Sequence, residues 1–134
     1  MTADQTGGNA VRSLIEAWVR AVGAADLDGV CAGRAEDIVL LDVPPPEEGV
    51  RGIDAYRAAW APFLGYVRSG ARFELADLHV EAGEEVAWGW ALLRCGTAEE
   101  LAARPERRLR LSVGLRRVAG EWEVAHEHHS FTGS

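Results

Sequence analysis

The stretch Trp122-Glu-Val-Ala-His-Glu-His-His-Ser130 holds three of the chain's four histidines. Strand side chains alternate between two faces, so an unbroken strand groups Trp122, Val124, His126, His128 and Ser130. Glu123, Ala125, Glu127 and His129 then take the opposite face. The first face begins aromatic and apolar and ends in two imidazoles and a hydroxyl. Buried polar groups need partners, so a core strand has no packing reason to finish this way. A strand running from a core into the floor of a wet pocket does have one. The plainer alternative is a frayed C-terminus with these groups in water.

Reading back from this stretch, Ala119-Gly120 is a tight turn. Before it, Leu109, Leu111, Val113 and Leu115 alternate with Arg108, Arg110, Ser112 and Arg116, a half-buried strand. Residues 96–106 form a connection with a short helical stretch at 99–103. In the segment from Val86 to Cys95, Val86, Trp88, Trp90 and Leu92 share a face opposite small Ala87, Gly89 and Ala91. Periodicity alone leaves open which of these faces is inner. Residues 71–80 form another strand, irregular where its apolar phase changes between Leu75 and Leu78.

The N-terminal half is helical in pattern. Residues 1–8 read as a flexible leader, and a single domain spans 9–134. From an N-cap at Asn9, Val11, Leu14, Ile15, Trp18 and Val22 fall on one helical stripe. A short helix follows, capped by Asp26 or Asp28. Ile38-Val-Leu-Leu-Asp-Val43 is a strand with Ile38, Leu40 and Asp42 on one face. The prolines of residues 44–46 exclude a continuing sheet. A short extended Val50-Arg51 leads through Gly52 to a third helix, with Tyr56, Ala59, Trp60 and Phe63 on its stripe. Pro62 is expected to kink it or end it early. Three helices packed in a mostly antiparallel, strongly curved sheet make an α+β fold, a cone-shaped α+β barrel with an internal pocket.

Composition narrows the function. At 134 residues, 48% hydrophobic, the chain is long enough for one real core. A net charge of −7 argues against nucleic acid as a partner. All 14 basic residues are arginines, which excludes a lysine Schiff base and a P-loop lysine. No apolar run reaches the roughly 18–20 residues that span a bilayer, and residues 1–8 lack signal-peptide character. Cys31 and Cys95 sit among apolar neighbours and read as reduced thiols of a cytoplasmic protein.

The order of these pieces resembles the nuclear transport factor 2-like superfamily, within it the ketosteroid isomerase and SnoaL-like polyketide cyclase group. Four features carry the resemblance over residues 10–130. They are the helix ending Ala-Ala-Asp-Leu-Asp-Gly29 before the strand to Asp42, the glycine entry Val50-Arg-Gly-Ile-Asp-Ala-Tyr56, the element order, and the closing Gly120-to-Ser130 strand. In ketosteroid isomerase the general base is an aspartate ending the first strand, and Asp42 occupies the matching place. The resemblance also implies a tyrosine on helix one and a protonated aspartic acid on a later strand as oxyanion donors. Trp18 fills the first position, and Leu111-Ser-Val-Gly-Leu115 holds no carboxylate for the second. His126 and His128 would then replace those donors.

These readings define a cofactor-free isomerase, cyclase or lyase acting on a mostly apolar, polyketide-like or steroid-like molecule. Asp42 is the expected base, its carboxyl raised toward neutrality by its apolar strand face, and His126 or His128 the expected acid. Trp18, Tyr56, Trp60, Trp88, Trp90 and Ser130 are the expected pocket contacts. Two other readings are a non-catalytic ligand-binding or dimerisation module and a metal enzyme using His126, His128 and Asp42. A homodimer is expected, because the sheet offers more apolar area than one helix layer covers.

Overall fold

The first helix owes its length to packing rather than propensity. The computed structural model describes residues 3–133, and α1 runs over Ala3–Gly23, so residues 3–8 are helical where a leader is expected. Residues 1 and 2 lie outside the described residues. Glycine weakens a helix interior, yet the helix continues through Gly7 and Gly8. At Gly7 a Cβ would sit 3.7 Å from the Ala82 methyl and 3.8 Å from the Trp122 ring, so the helix lies close on the sheet there. Its stripe of Val11, Ile15, Trp18, Val19 and Val22 is buried.

The short helix α2 (Leu27–Cys31) is capped by Asp26, whose side chain accepts from Gly29 N–H at 3.1 Å. Strand β1 (Arg34–Leu41) buries Ile38 and Leu40, β2 (Val50–Arg51) pairs with it, and α3 (Ile53–Arg68) follows. Gly52 opens α3 with φ 92°, a conformation glycine adopts freely, and its N–H bonds Ile38 O at 2.8 Å. Pro62 does not end α3, which continues to Arg68 because Leu64 and Val67 beyond it are buried in the core. Then come β3 (Arg72–Ala82), β4 (Val86–Gly96), α4 (Ala98–Ala103), β5 (Leu109–Val118) and β6 (Glu121–Phe131).

The six strands form one open sheet in the order β2-β1-β6-β5-β4-β3, and only the β1–β6 pair is parallel. This is an α+β fold, as expected, but the sheet does not close into a barrel. Helix α1 packs against β3 and α2, and α3 against β1 and α2. The β3 irregularity falls at Ala76, between the pairs Leu75–Leu93 and Asp77–Leu92. A second bulge decides the site. Val124 pairs with Leu115 and His126 with Gly114, so Ala125 is an extra residue in β6. One extra residue flips every later side chain to the other face. Val124 is therefore inner, and beyond Ala125 the inner residues are Glu127 and His129.

Candidate functional site

A cavity of about 850 Å³ opens between β1, α3, the 44–46 loop and the strand ends near α4. Its walls are mainly apolar: Leu40, Trp60, Phe63, Phe73, Leu109 and Phe131. Gly49 holds the proline loop against β1, since a Cβ there would lie 2.5 Å from Leu40 O. Into this apolar space open two ionisable partners, Asp42 from the end of β1 and His129 from β6.

Asp42 Oδ1 lies 3.2 Å from His129 Nδ1 and accepts from Val43 N–H at 2.7 Å. Among the described residues its Oδ2 makes no hydrogen bond, and the side chain is 27% exposed. His129 Nε2 is in ion-pair contact with Glu127 Oε2 at 2.9 Å. Glu127 is wholly buried; its Oε1 accepts from Tyr56 O–H at 3.0 Å and from Arg34 Nη2 at 3.3 Å. Tyr56 oxygen in turn accepts from Trp18 Nε1 at 3.1 Å and Arg34 Nε at 3.2 Å. Arg34 also stacks over Trp18, its Cζ 5.1 Å from the ring centroid. A chain of polar groups thus runs from the core to the cavity wall and reaches the cavity at the Asp42–His129 end.

Its charge states follow from the geometry. Burial alone would lower the His129 pKa, but the bonds and charges of Asp42 and Glu127 raise it from the usual 6.5 to about 9. Burial pushes the Asp42 and Glu127 carboxyls up; the hydrogen bond and charge of His129 hold Asp42 below its ordinary value, and the close His129 charge, with Arg34 and the Tyr56 hydroxyl, holds Glu127 below its own. The expected rise of Asp42 toward neutrality is thus reversed, because the strand face is apolar but the neighbour is a cation. Tyr56, desolvated and beside Glu127, stays a phenol. At pH 7 the chain reads Asp42⁻, His129⁺, Glu127⁻, Arg34⁺, with no net charge to bury.

The linkage sets a test. With the folded His129 raised, its stabilisation is complete below pH 6.5, declines as pH rises, and is gone above about 9. The melting temperature should fall between those pH values in the wild type. It should fall less steeply in His129→Gln, and equal slopes would remove the imidazolium from this arrangement.

The family model described as a SnoaL-like domain matches residues 11–134. The chain belongs to the SnoaL-like family. A nuclear transport factor 2-like protein of unknown function from Pseudomonas putida is 36% identical, covering 94% of this chain and 87% of its own, with a TM-score of 0.83. Two further structures support the fold alone. One is a provisionally assigned ketosteroid isomerase from Shewanella frigidimarina, 14% identical over 90% of this chain and 94% of its own, TM-score 0.74. The other is a provisionally assigned dehydratase from Streptomyces avermitilis, 14% identical over 97% and 99%, TM-score 0.72. No curated protein matches the chain.

Within this SnoaL-like domain the expected site residues divide into three groups. Asp42 and Trp60 line the cavity. Trp18 and Tyr56 are buried behind it, holding the polar chain rather than forming its wall. His126, His128, Trp88, Trp90 and Ser130 belong to the outer face of the sheet, a correction with two causes. The Ala125 bulge turns His126, His128 and Ser130 outward, and Ser130 Oγ there accepts from Arg110 Nε at 3.0 Å. On β4 it is Ala87, Gly89 and Ala91 that face the core, and a Cβ on Gly89 would already lie 3.1 Å from His79 O and 3.3 Å from Ile15 Cδ1. Trp88 and Trp90 consequently face out, 51% and 37% exposed.

The same bulge separates His126 and His128 from Asp42, so the three-ligand metal site is not assembled. Among the described residues no group of three or more His, Cys, Asp or Glu side chains converges as a metal site. Both cysteines are buried and free, and burial pushes the Cys95 thiol at the cavity wall up to about 12, leaving it a poor nucleophile. Among the described residues no helix is long and apolar enough to cross a membrane. The residues that periodicity missed are Glu127, His129 and Arg34. One signal was available: Val124 and Phe131, both apolar, are seven apart and cannot share a face unless an extra residue lies between them.

Proposed function

We propose that this protein is an acid-base isomerase, cyclase or lyase acting on a mostly apolar carbonyl compound held in the cavity. The observation that carries the reading is a carboxylate with one free oxygen at an apolar cavity, backed by a buried imidazolium. Asp42 Oδ2 takes a proton from carbon beside a carbonyl. His129 holds the carboxylate in place through Nδ1 and supplies the compensating charge. Before transfer its positive charge is balanced by Asp42; afterwards Asp42 is neutral and the charge faces the new enolate. In a site of low dielectric that redistribution favours the enolate.

Asp42 is a weak base because its carboxyl is held low. A weak base suits an activated C–H, such as one between two carbonyls, better than a simple ketone. This favours polyketide-like over steroid-like substrates. The test is incorporation of solvent deuterium into a panel of aromatic β-ketoesters and β-diketones, followed by NMR. Exchange above the buffer rate for at least one compound is expected; rates at the buffer level across the panel would overturn the reading.

We also infer a homodimer through the outer sheet face. Trp88 and Trp90 sit at its centre with the His79 ring 5.5 and 5.9 Å from theirs. On this face β3 carries Asp77 and Glu81 while β5 carries Arg110, which has no carboxylate partner among the described residues. A two-fold axis along β4 would lay each acidic strand against the other copy's arginine. Light scattering should give twice 14.5 kDa for wild type and the monomer mass for Trp88→Glu. A monomeric wild type at micromolar concentration would refute it.

A further inference from the structure

The cavity wall contains a cation that the acid-base reading leaves unused. Arg107, on the connection between α4 and β5, lines the cavity beside Cys95 and Phe131. Its Cζ lies 4.0 Å over the Phe131 ring centroid. Among the described residues its Nε is buried without a hydrogen-bond partner and its guanidinium makes no ion pair. By contrast Arg34, Arg57 and Arg116 each pair with a carboxylate. Glu100, the other carboxylate of the cavity wall, feels the Arg107 charge without forming an ion pair with it, and its Oε1 is already engaged. It accepts from Thr97 N–H at 2.8 Å in the capping box of α4 and from the Tyr66 hydroxyl.

The Arg107 side chain is half-buried against an apolar wall with no carboxylate in direct contact, and a ligand anion would supply that contact. Stacking on Phe131 uses the face of the guanidinium and leaves its N–H edges for a planar anion. Arg107, Cys95 and Asp42 all line the same cavity. One ligand can therefore meet both groups. The aromatic wall between them, including Phe63 and Phe73, suits a flat apolar body.

We propose that Arg107 is a specificity-determining anion site, and that the ligand is a flat, apolar molecule with a carboxylate at the end remote from Asp42. The assignment of the reacting end rests on the proposed function; the carboxylate preference does not. A carboxylate takes the guanidinium edge through two parallel N–H bonds, which an ester cannot reproduce.

The test is isothermal titration of 2-naphthoate against methyl 2-naphthoate at pH 7 and low salt, with two further acid–ester pairs of similar size. Wild type should bind the acids at least about tenfold more tightly than the esters. Arg107→Gln should lose that preference while its ester affinity stays within about threefold, and Arg107→Lys should keep part of it. Asp42→Asn should keep the preference in full. Equal binding of acid and ester by wild type would overturn the proposal, whatever the folding of the variants. So would a preference that survives in Arg107→Gln, or acids that all fail to bind at millimolar concentration. Undiminished deuterium exchange in Asp42→Asn would instead sink the acid-base reading and leave this preference standing.

Discussion

Glu127→Leu should lower the free energy of unfolding by about 3–5 kcal/mol, the loss expected when one member of a buried ion pair is removed. Glu127 has no exposed surface, accepts from Arg34 and Tyr56, and lies in ion-pair contact with His129. Leucine fills most of its volume, so the loss is not chiefly a cavity effect. It arises because Arg34 and His129 remain buried with only Asp42 to balance them. His129 should lose its proton at a lower pH than in the wild type, and the Arg34 guanidinium keeps its charge with no carboxylate partner. Urea denaturation of three variants separates the causes. Arg34→Met should be as damaging as Glu127→Leu, and the double variant should lose clearly less than the sum. A loss below about 1 kcal/mol in Glu127→Leu would mean that water or rearrangement satisfies the arginine.

The placement of Asp42 was legible because nothing interrupts the relevant period. Ile38, Leu40 and Asp42 alternate without a bulge, and the last two reach the cavity. The α3 stripe was legible for the same reason, with Tyr56 and Trp60 buried and Ala59 and Phe63 packed against the core beside them. The closing strand was not, because a bulge is a tertiary event. Ala125 has no glycine or proline to announce it; it is extruded where β6 pairs antiparallel with β5 on one side and parallel with β1 on the other. Parity alone exchanges His128 for His129, and with it an exposed imidazole for the buried partner of Asp42.

The β4 tryptophans illustrate a different limit. Alternation groups them on one face and Ala87, Gly89 and Ala91 on the other, without saying which face is inner. The small residues face the core, where a Cβ on Gly89 would crowd His79 O and Ile15 Cδ1, and the tryptophans lie outward. Arg34 shows the converse. An arginine at a strand start reads as solvated, and here it is buried because Glu127, far away in sequence, supplies its counter-charge. Such a pairing has no local signature.

Asp42→Asn should reduce deuterium exchange by on the order of a hundredfold or more while changing the melting temperature by only a few degrees. The amide keeps the size of the carboxylate, and its oxygen can still accept from Val43 N–H and from His129 Nδ1. What it loses is basicity at the atom facing the cavity. A hundredfold loss corresponds to about 2.7 kcal/mol of transition-state stabilisation, within the range set by one positioned base. His129→Gln should also slow exchange, because the enolate then forms without the imidazolium charge. Its signature differs: wild-type exchange should fall as pH rises through about 9, where His129 deprotonates, and the glutamine variant should lack that limb. A binding module without catalysis would give another pattern. Neither variant would change exchange, since wild type shows none, and both would weaken binding of ligands that reach the Asp42 end. Full exchange activity in Asp42→Asn on a compound that wild type turns over would remove Asp42 as the base. The His129–Glu127–Arg34 chain would then be a device of stability alone.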